Sequence, residues 1–310
     1  MMKPLLAAVA APLISTPAFA DNKEAATNAL VALFQDYSED GVREYFVEDI
    51  IQHNPFVPTG RDALIGLLPA LEASGITFTN HRILQDGDYV VLHNSFVNAQ
   101  AFGADEIVTF DIYRMEDGKA AEHWDAIQPI VEVTASGRSQ VDGATEITDL
   151  DKTDANKVLA VSLIEDVLMG KDPGKITDYI NAEQYAQHNP DIKDGLSGLL
   201  EYVDTLTAQN NMFEYTKIHQ VLGEGNFVLT VSEGEWSGKT HAFYDLFRAE
   251  DGKLVEHWDV IQPVPTENLA NTNGMFGFRT IVPEPGGGML AVMGVFATGH
   301  HIRRRHRDGK

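Results

Sequence analysis

The sequence predicts an α+β protein built from two tandem copies of one domain. Three observations carry that expectation. First, Glu122-His123-Trp124-Asp125 returns 134 residues later as Glu256-His257-Trp258-Asp259. The flanks return with it. Asp111-Ile112-Tyr113-Arg114 and Glu116-Asp117-Gly118-Lys119 match Asp245-Leu246-Phe247-Arg248 and Glu250-Asp251-Gly252-Lys253. A self-match this dense marks an internal repeat. Second, 310 residues leave each copy about 120 to 135, enough to bury a core of its own. Third, each copy places helical periodicity first and strand-like runs after it, the order of an α+β domain.

The elements come in this order. Residues 1–20 read as a secretory signal. Lys3 is the positive start, Leu5 to Ile14 is apolar, and Ala18-Phe19-Ala20 is an A-x-A cleavage site. In residues 23–37, Ala26, Leu30, Leu33 and Phe34 share one helical face. Residues 61–73 form a second helix on the stripe Leu64, Leu67, Leu68 and Leu71, with Pro69 a candidate kink. Strands are expected over 77–84, 89–100, 106–114 and 121–133, with turns at Asp86-Gly87-Asp88 and Glu116-Asp117-Gly118-Lys119. The second copy repeats this with helices over 155–169 and 195–206 and strands over 215–222, 226–233, 240–248 and 254–264. The domains are therefore placed at 21–135 and 152–266. A linker at 136–151 joins them, and a polar linker at 267–281 leads to a tail at 282–310.

Composition excludes several functions. The net charge of −23 repels nucleic acid and anionic lipid. With no cysteine there is no disulfide, thiolate metal site or cysteine nucleophile. No run of 18 apolar residues is present to form a standard membrane span. There is no G-x-S-x-G, P-loop or G-x-G-x-x-G motif.

Strand alternation selects the candidate site. His123 and Asp125 share one face of their strand, as do His257 and Asp259. Thr109, Asp111 and Tyr113 share a face on the preceding strand, as do Phe243, Asp245 and Phe247. An imidazole two residues from a carboxylate suits general acid–base chemistry. Burial raises the pKa of such a carboxylate and a neighbouring imidazolium lowers it. Gln52-His53-Asn54-Pro55 and its counterpart at His188-Asn189-Pro190 offer donors at a pocket mouth, or cap a turn. Trp124 and Trp258 serve either the core or ligand stacking. Glu122 and Glu256 suit ion pairs with Arg114 and Arg248. Two His and one carboxylate per copy would also make a facial metal triad, though no H-x-H or H-E-x-x-H spacing fixes one.

The pattern Gln-His-Asn-Pro, then Asp-x-Tyr/Phe-Arg-x-Glu-Asp-Gly-Lys-x-x-Glu-His-Trp-Asp, resembles the SnoaL-like polyketide cyclases of the NTF2-like superfamily, in both halves. The resemblance implies α+β cone domains, with helices packed in a curved antiparallel sheet around a deep pocket. It implies cofactor-free, metal-free aldol-type chemistry on a small hydrophobic or carbonyl ligand. Asp125 and Asp259 become the acid–base residues, with His123 and His257 beside them. His53, Asn54, Asp111, Trp124, His188, Asn189, Asp245 and Trp258 become substrate-binding residues. Family members are usually dimers, so the two copies are expected to form that dimer within one chain. His93 aligns with Val231 and Ile107 with His241, so the two pockets are expected to differ. A non-catalytic, hydrophobic-ligand-binding module of the envelope is the alternative. The tail Val282-Pro283-Glu284-Pro285, a short apolar run and Arg303-Arg304-Arg305 resembles the PEP-CTERM sorting signal. That resemblance implies export to the periplasm, cell envelope or extracellular matrix of a bacterium, with transient membrane anchoring through the tail.

Overall fold

The computed structural model describes residues 22–278. The expected signal at 1–20 and the tail at 282–310 lie outside the described residues.

The first half opens with α1 (Asn22–Phe34), which buries Ala25, Ala26, Ala29, Leu30 and Leu33. Ser38 caps α2 (Glu39–Tyr45), its hydroxyl accepting from the Gly41 amide at 3.1 Å. β1 (Phe46–Gln52) comes next, then α3 (Arg61–Ser74). Pro69 does not end α3, which stops at Gly75 in the left-handed region, φ 66°. β2 (Thr77–Asp86), β3 (Tyr89–Val97), β4 (Glu106–Glu116) and β5 (Lys119–Pro129) complete the half. The strand order is β1-β5-β4-β3-β2, with β1 parallel to β5 and the other pairs antiparallel.

The second half repeats the plan. α4 (Thr153–Leu163) continues as a π turn over Ile164–Leu168. Then come α5 (Ile176–Tyr179), β6 (Ala186–Gln187) and α6 (Gly195–Ala208). β7 (Glu214–Glu224), β8 (Phe227–Trp236), β9 (Lys239–Glu250) and β10 (Lys253–Pro263) complete it. Their order is β6-β10-β9-β8-β7, again with the first pair parallel. The helices, four long strands and hairpins match expectation in both halves. The parallel strands β1 and β6 and the short α2 are additions that the sequence does not announce. Each is too short, and too mixed in burial, to show a period.

Alternation gives each sheet two apolar faces. One face packs against its own helices: Leu30, Leu33, Leu64 and Leu68 meet Val90, Leu92 and Tyr113 in the first half. The other faces pack back to back. Phe110, Ile112 and Trp124 meet Phe227, Leu229, Tyr244, Leu246 and Trp258 in one shared cluster. The polar contacts across this junction come in reciprocal pairs. The Ile127 amide donates to Gln262 Oε1 at 2.8 Å, and the Ile261 amide donates to Gln128 Oε1 at 2.9 Å. Lys23 pairs with Glu224 and Lys157 pairs with Asp86. The Gly223 amide donates to Asp86 at 2.9 Å, and the Gln85 amide donates to Glu224 at 2.7 Å. Reciprocal contacts are what a twofold-related interface produces.

The segments expected as linkers are straps instead. Residues 130–149 leave the first half and cover the back of the second. The Ser136 hydroxyl donates to Gln187 O, and Trp258 Nε1 donates to Asp142 O, at 2.8 and 2.9 Å. The described part of 264–281 leaves the second half and returns to the first. Asn271 Nδ2 donates to Asn54 O and Val57 O, Asn273 Nδ2 donates to Gln52 O, and Phe278 stacks on Trp124 at 4.5 Å. Their polar composition reads as linker, but the amides and hydroxyls satisfy loop backbone instead of water.

Equivalent glycines let the straps approach. A Cβ on Gly143, φ +97°, would lie 2.8 Å from Trp258, and one on Gly277 would lie 2.5 Å from the His53 ring. We predict that Gly143→Ala destabilises the chain by roughly 1–3 kcal/mol, from backbone strain and overpacking together. A thermal or urea melt unchanged from wild type would show that the strap is not held against Trp258.

Candidate functional site

The site of the first half is set by strand register. Asp111 on β4 stands opposite Asp125 on β5, Tyr113 opposite His123, and Gln52 on β1 pairs with His123 from the other side. All face a narrow cavity walled by Leu33, Leu64, Leu71, Phe96, Phe102 and Ile127. The His123 ring is held at both nitrogens. Nδ1–H donates to Gln52 Oε1 at 2.9 Å and Nε2–H to Asp111 Oδ1 at 3.2 Å. Asp111 also accepts from Asn94 Nδ2 at 2.8 Å and from the Thr109 hydroxyl. Two acceptors for one ring call for two protons, so the ring sits as an imidazolium. Burial pushes His123 down, but the hydrogen bond to Asp111 and the charges of Asp125 and Asp111 outweigh it, and the net shift is upward.

Asp125 is the reactive group. Asn54 Nδ2 donates to its Oδ2 at 2.7 Å, while Oδ1 is buried and has no partner. Burial drives its pKa up to about 6, with Asp111 adding and His123 and Asn54 opposing. That value lies where a carboxylate can both take and return a proton near neutral pH.

The second half repeats the arrangement in a matching cavity. His257 Nδ1–H donates to Gln187 Oε1 at 2.8 Å and Nε2–H to Asp245 Oδ1 at 3.1 Å. Asn189 Nδ2 donates to Asp259 Oδ2 at 2.6 Å, and Asp259 Oδ1 is again buried without a partner. Burial likewise raises Asp259 to about 6. The support for Asp245 differs. The Tyr215 hydroxyl reaches both its oxygens at 3.2 Å, where Asp111 has Asn94 and Thr109.

Residues 27–123 match the SnoaL-like domain family. The first half carries a SnoaL-like domain. No curated protein matches the chain. Among solved structures, IdmH from Streptomyces antibioticus, described provisionally as a polyketide cyclase, is similar at 21% identity and TM-score 0.30. The match covers 35% of this chain and 93% of that one. An LEH-like epoxide hydrolase from M. tuberculosis is similar at 19% identity and TM-score 0.29, over 34% and 82% of the two chains. An NTF2-like protein of unknown function from Mesorhizobium loti is similar at 18% identity and TM-score 0.29, over 35% and 95%.

Within the SnoaL-like domain and its repeat, the cavities collect Asn54, Asp111, His123 and Asp125, and Asn189, Asp245, His257 and Asp259. Four expected ligand contacts lie elsewhere. Trp124, Trp258, His53 and His188 occupy the back faces of the sheets. His53 stacks on Trp124 at 4.5 Å and donates from Nδ1 to Gly274 O at 2.7 Å. His188 stacks on Trp258 at 4.6 Å and donates from Nδ1 to Ser139 O at 2.7 Å. The cause is alternation: Gln52 and Asn54 face the cavity, so His53 between them faces away. Glu122 and Glu256 form the anticipated pairs with Arg114 at 2.5 Å and Arg248 at 2.7 Å, also on the back. His93 faces that side too, accepting from Arg82 at 3.1 Å and stacking on Phe110, so it does not shape the cavity. Gln52, expected as a donor at the pocket mouth, instead accepts from His123, and Gln187, which was not expected there, takes the matching place beside His257. The period-two rule applied to EHWD would have selected both.

Asp111, His123 and Asp125 each offer a ligand atom within 4.8 Å of one another, as do Asp245, His257 and Asp259. A cation there would require each imidazolium to surrender its Nε2 proton and its bond to the carboxylate.

The shifts make stability depend on pH. Between about pH 4 and 6 the folded chain keeps protons on Asp125 and Asp259 that the unfolded chain releases, so their contribution falls as pH rises through that window. His123 and His257, raised in the fold, lose their contribution as pH rises through their folded values, above the ordinary 6.5. Glu122 and Glu256, lowered despite burial by their His and Arg partners, contribute above the ordinary 4.5 and lose it as pH falls. The melting temperature should therefore be higher at about pH 5 than at about pH 8. Asp125→Asn should stabilise the chain at pH 8 by on the order of 2–3 kcal/mol. Thermal melts at pH 5 and pH 8 test both statements, and a destabilised Asp125→Asn at pH 8 would contradict the raised pKa.

Proposed function

We propose that this chain is an exported, metal-free acid–base lyase or isomerase of aldol type. It would act on a small hydrophobic carbonyl compound, with one site in each of two SnoaL-like domains that form an intramolecular pseudo-dimer. The observation that carries this reading is the free, buried Oδ1 of Asp125, repeated at Asp259, facing an apolar cavity beside a pinned imidazolium. A buried oxygen without a partner is costly, and a substrate proton is what it lacks.

The chemistry comes out of the geometry. Asn54 holds Oδ2, which aims Oδ1 at the ligand. Asp125 Oδ1 takes the proton from the carbon next to the carbonyl, and that electron pair forms the enolate. The enolate then attacks a second carbonyl, whose oxygen takes the proton back from Asp125, or is itself reprotonated by Asp125. His123 stays charged throughout. Its field stabilises the carboxylate before the transfer and the enolate after it. The apolar walls exclude water, which strengthens both effects. A second reading, ligand binding without turnover, is favoured by the predominance of leucine and phenylalanine in the lining. Export rests on the A-x-A segment and the Pro-Glu-Pro tail. Mass spectrometry of the mature chain starting at Asp21 tests it.

The enzyme reading predicts α-proton exchange into D2O for a hydrophobic ketone, monitored by NMR. The rate should rise with pH through about 6 as Asp125 and Asp259 ionise. Asp125→Asn combined with Asp259→Asn should reduce it at least ~100-fold, and a chelator should leave it unchanged. A co-purifying ligand with no exchange of any carbonyl compound would favour the binding module, and loss of activity with chelator would favour a metal site.

A further inference from the structure

Most donors lining each cavity are already engaged. Both His123 nitrogens, Asn54 Nδ2 and the Thr109 hydroxyl bond to protein acceptors, as do both His257 nitrogens, Asn189 Nδ2 and the Tyr215 hydroxyl. The histidine nitrogens and the two hydroxyls cannot turn to a substrate oxygen without breaking a bond that holds the site, whereas Asn54 Nδ2 and Asn189 Nδ2 each keep one further N–H beside the base they hold. The Nε2 amides of Gln52 and Gln187 stay in the same place in both halves. What differs is a phenol.

In the first half Tyr113 stands opposite His123, its ring stacked on the imidazole at 4.6 Å. The matching position opposite His257 is Phe247, stacked at 4.9 Å, so the hydroxyl is gone. The second half supplies a phenol from the other side. Tyr185 precedes Gln187 by two residues, lines the cavity, and lies parallel to the His257 ring at 6.3 Å. Pairing of Gln52 and Gln187 with the two histidines makes Ile50 its counterpart in the first half. Thus one half has Ile50 with Tyr113, and the other has Tyr185 with Phe247. Packing alone asks for no hydroxyl at either place. Tyr113 and Tyr185 are 2% and 3% exposed, and no contact among the described residues occupies either hydroxyl. Each phenol lines its cavity, so a ligand oxygen there can accept from it.

Resting on the acid–base reading above, we propose that Tyr113 in the first cavity and Tyr185 in the second are catalytic residues that donate a hydrogen bond to the substrate's carbonyl oxygen. The α C–H bond breaks, its proton goes to Asp125 or Asp259 Oδ1, and the electron pair leaves a negative oxygen. That oxygen accepts from the phenol, which keeps its own proton. Burial, then the nearby carboxylates Asp111 and Asp125, hold Tyr113 well above the usual phenol range, and burial with Asp245 and Asp259 does the same for Tyr185. Both therefore remain donors at any working pH. Tyr202 also borders the second cavity, but it is only partly buried and feels Asp259 without Asp245. Because the phenols sit on opposite sides of the ring, the two cavities would bind one carbonyl compound in different orientations.

The test uses 2-naphthol, whose absorbance separates phenol from phenolate, and the Asp125→Asn, Asp259→Asn chain, in which neutral amides stand for the protonated bases. Two equivalents should bind with phenolate character. Tyr113→Phe should weaken one site at least ~10-fold, Tyr185→Phe the other, and both together should remove the phenolate spectrum. Melting temperatures confirm that the near-isosteric variants fold. Absence of binding, binding indifferent to both substitutions, or a loss with Tyr202→Phe in place of Tyr185→Phe each overturns the assignment. Failure here with ketone exchange still dependent on Asp125 and Asp259 leaves the enzyme reading standing. Tyrosine-dependent binding without any exchange sinks the enzyme reading and keeps the donor site.

Discussion

Each half depends on an imidazolium fixed at two points. His123 lies between the Gln52 carbonyl oxygen and the Asp111 carboxylate, and His257 between Gln187 and Asp245. An isolated positive ring inside an apolar wall would be expelled or neutralised. The two acceptors prevent both, and the charge then makes it tolerable to bury Asp125 or Asp259 alongside. Register does the rest. The two aspartates of each half face each other across one hairpin, so their backbones are fixed by paired strands and their carboxylates by the bonds from Asn54 and His123 or Asn189 and His257. The reactive oxygen is thus aimed by rigid strands, a firmer support than loops provide.

The halves are not independent beads. Their sheets share one apolar cluster, and the polar contacts across it recur in reciprocal pairs. Ile127 and Ile261 line the two cavities, yet each has its amide bonded by a glutamine of the opposite half. The straps repeat this exchange. The strap leaving β5 covers the second half, and the strap leaving β10 covers the first. Each cavity wall is therefore braced partly by its twin, while the linings differ in where their hydroxyls come from.

Much of this is legible in the sequence, and the reasons for the rest are physical. The repeat, the long strands and the Asp–His pairing come from period and spacing, which survive into the fold as register. The direction of Asp125 is readable because β5 alternates without a break through EHWD. The same rule reaches β1, but seven residues of mixed burial hide the strand there, so His53 reads as a lining residue alongside Gln52 and Asn54. Trp124 and Trp258 are not ligand contacts, and alternation through EHWD already sets them on the opposite face. The straps are unreadable because their hydrogen bonds join residues far apart in sequence, 51 positions for Ser136 with Gln187 and 217 for Asn271 with Asn54, separations that no local pattern records.

The exchanged straps also set how tension would pass through the molecule. The last described residue, Phe278, belongs by order to the second half but lies on Trp124 of the first. A pull applied there would strip the strap from the first half before it loaded β10, so Trp124 and the loop at Asn54 would lose their cover first.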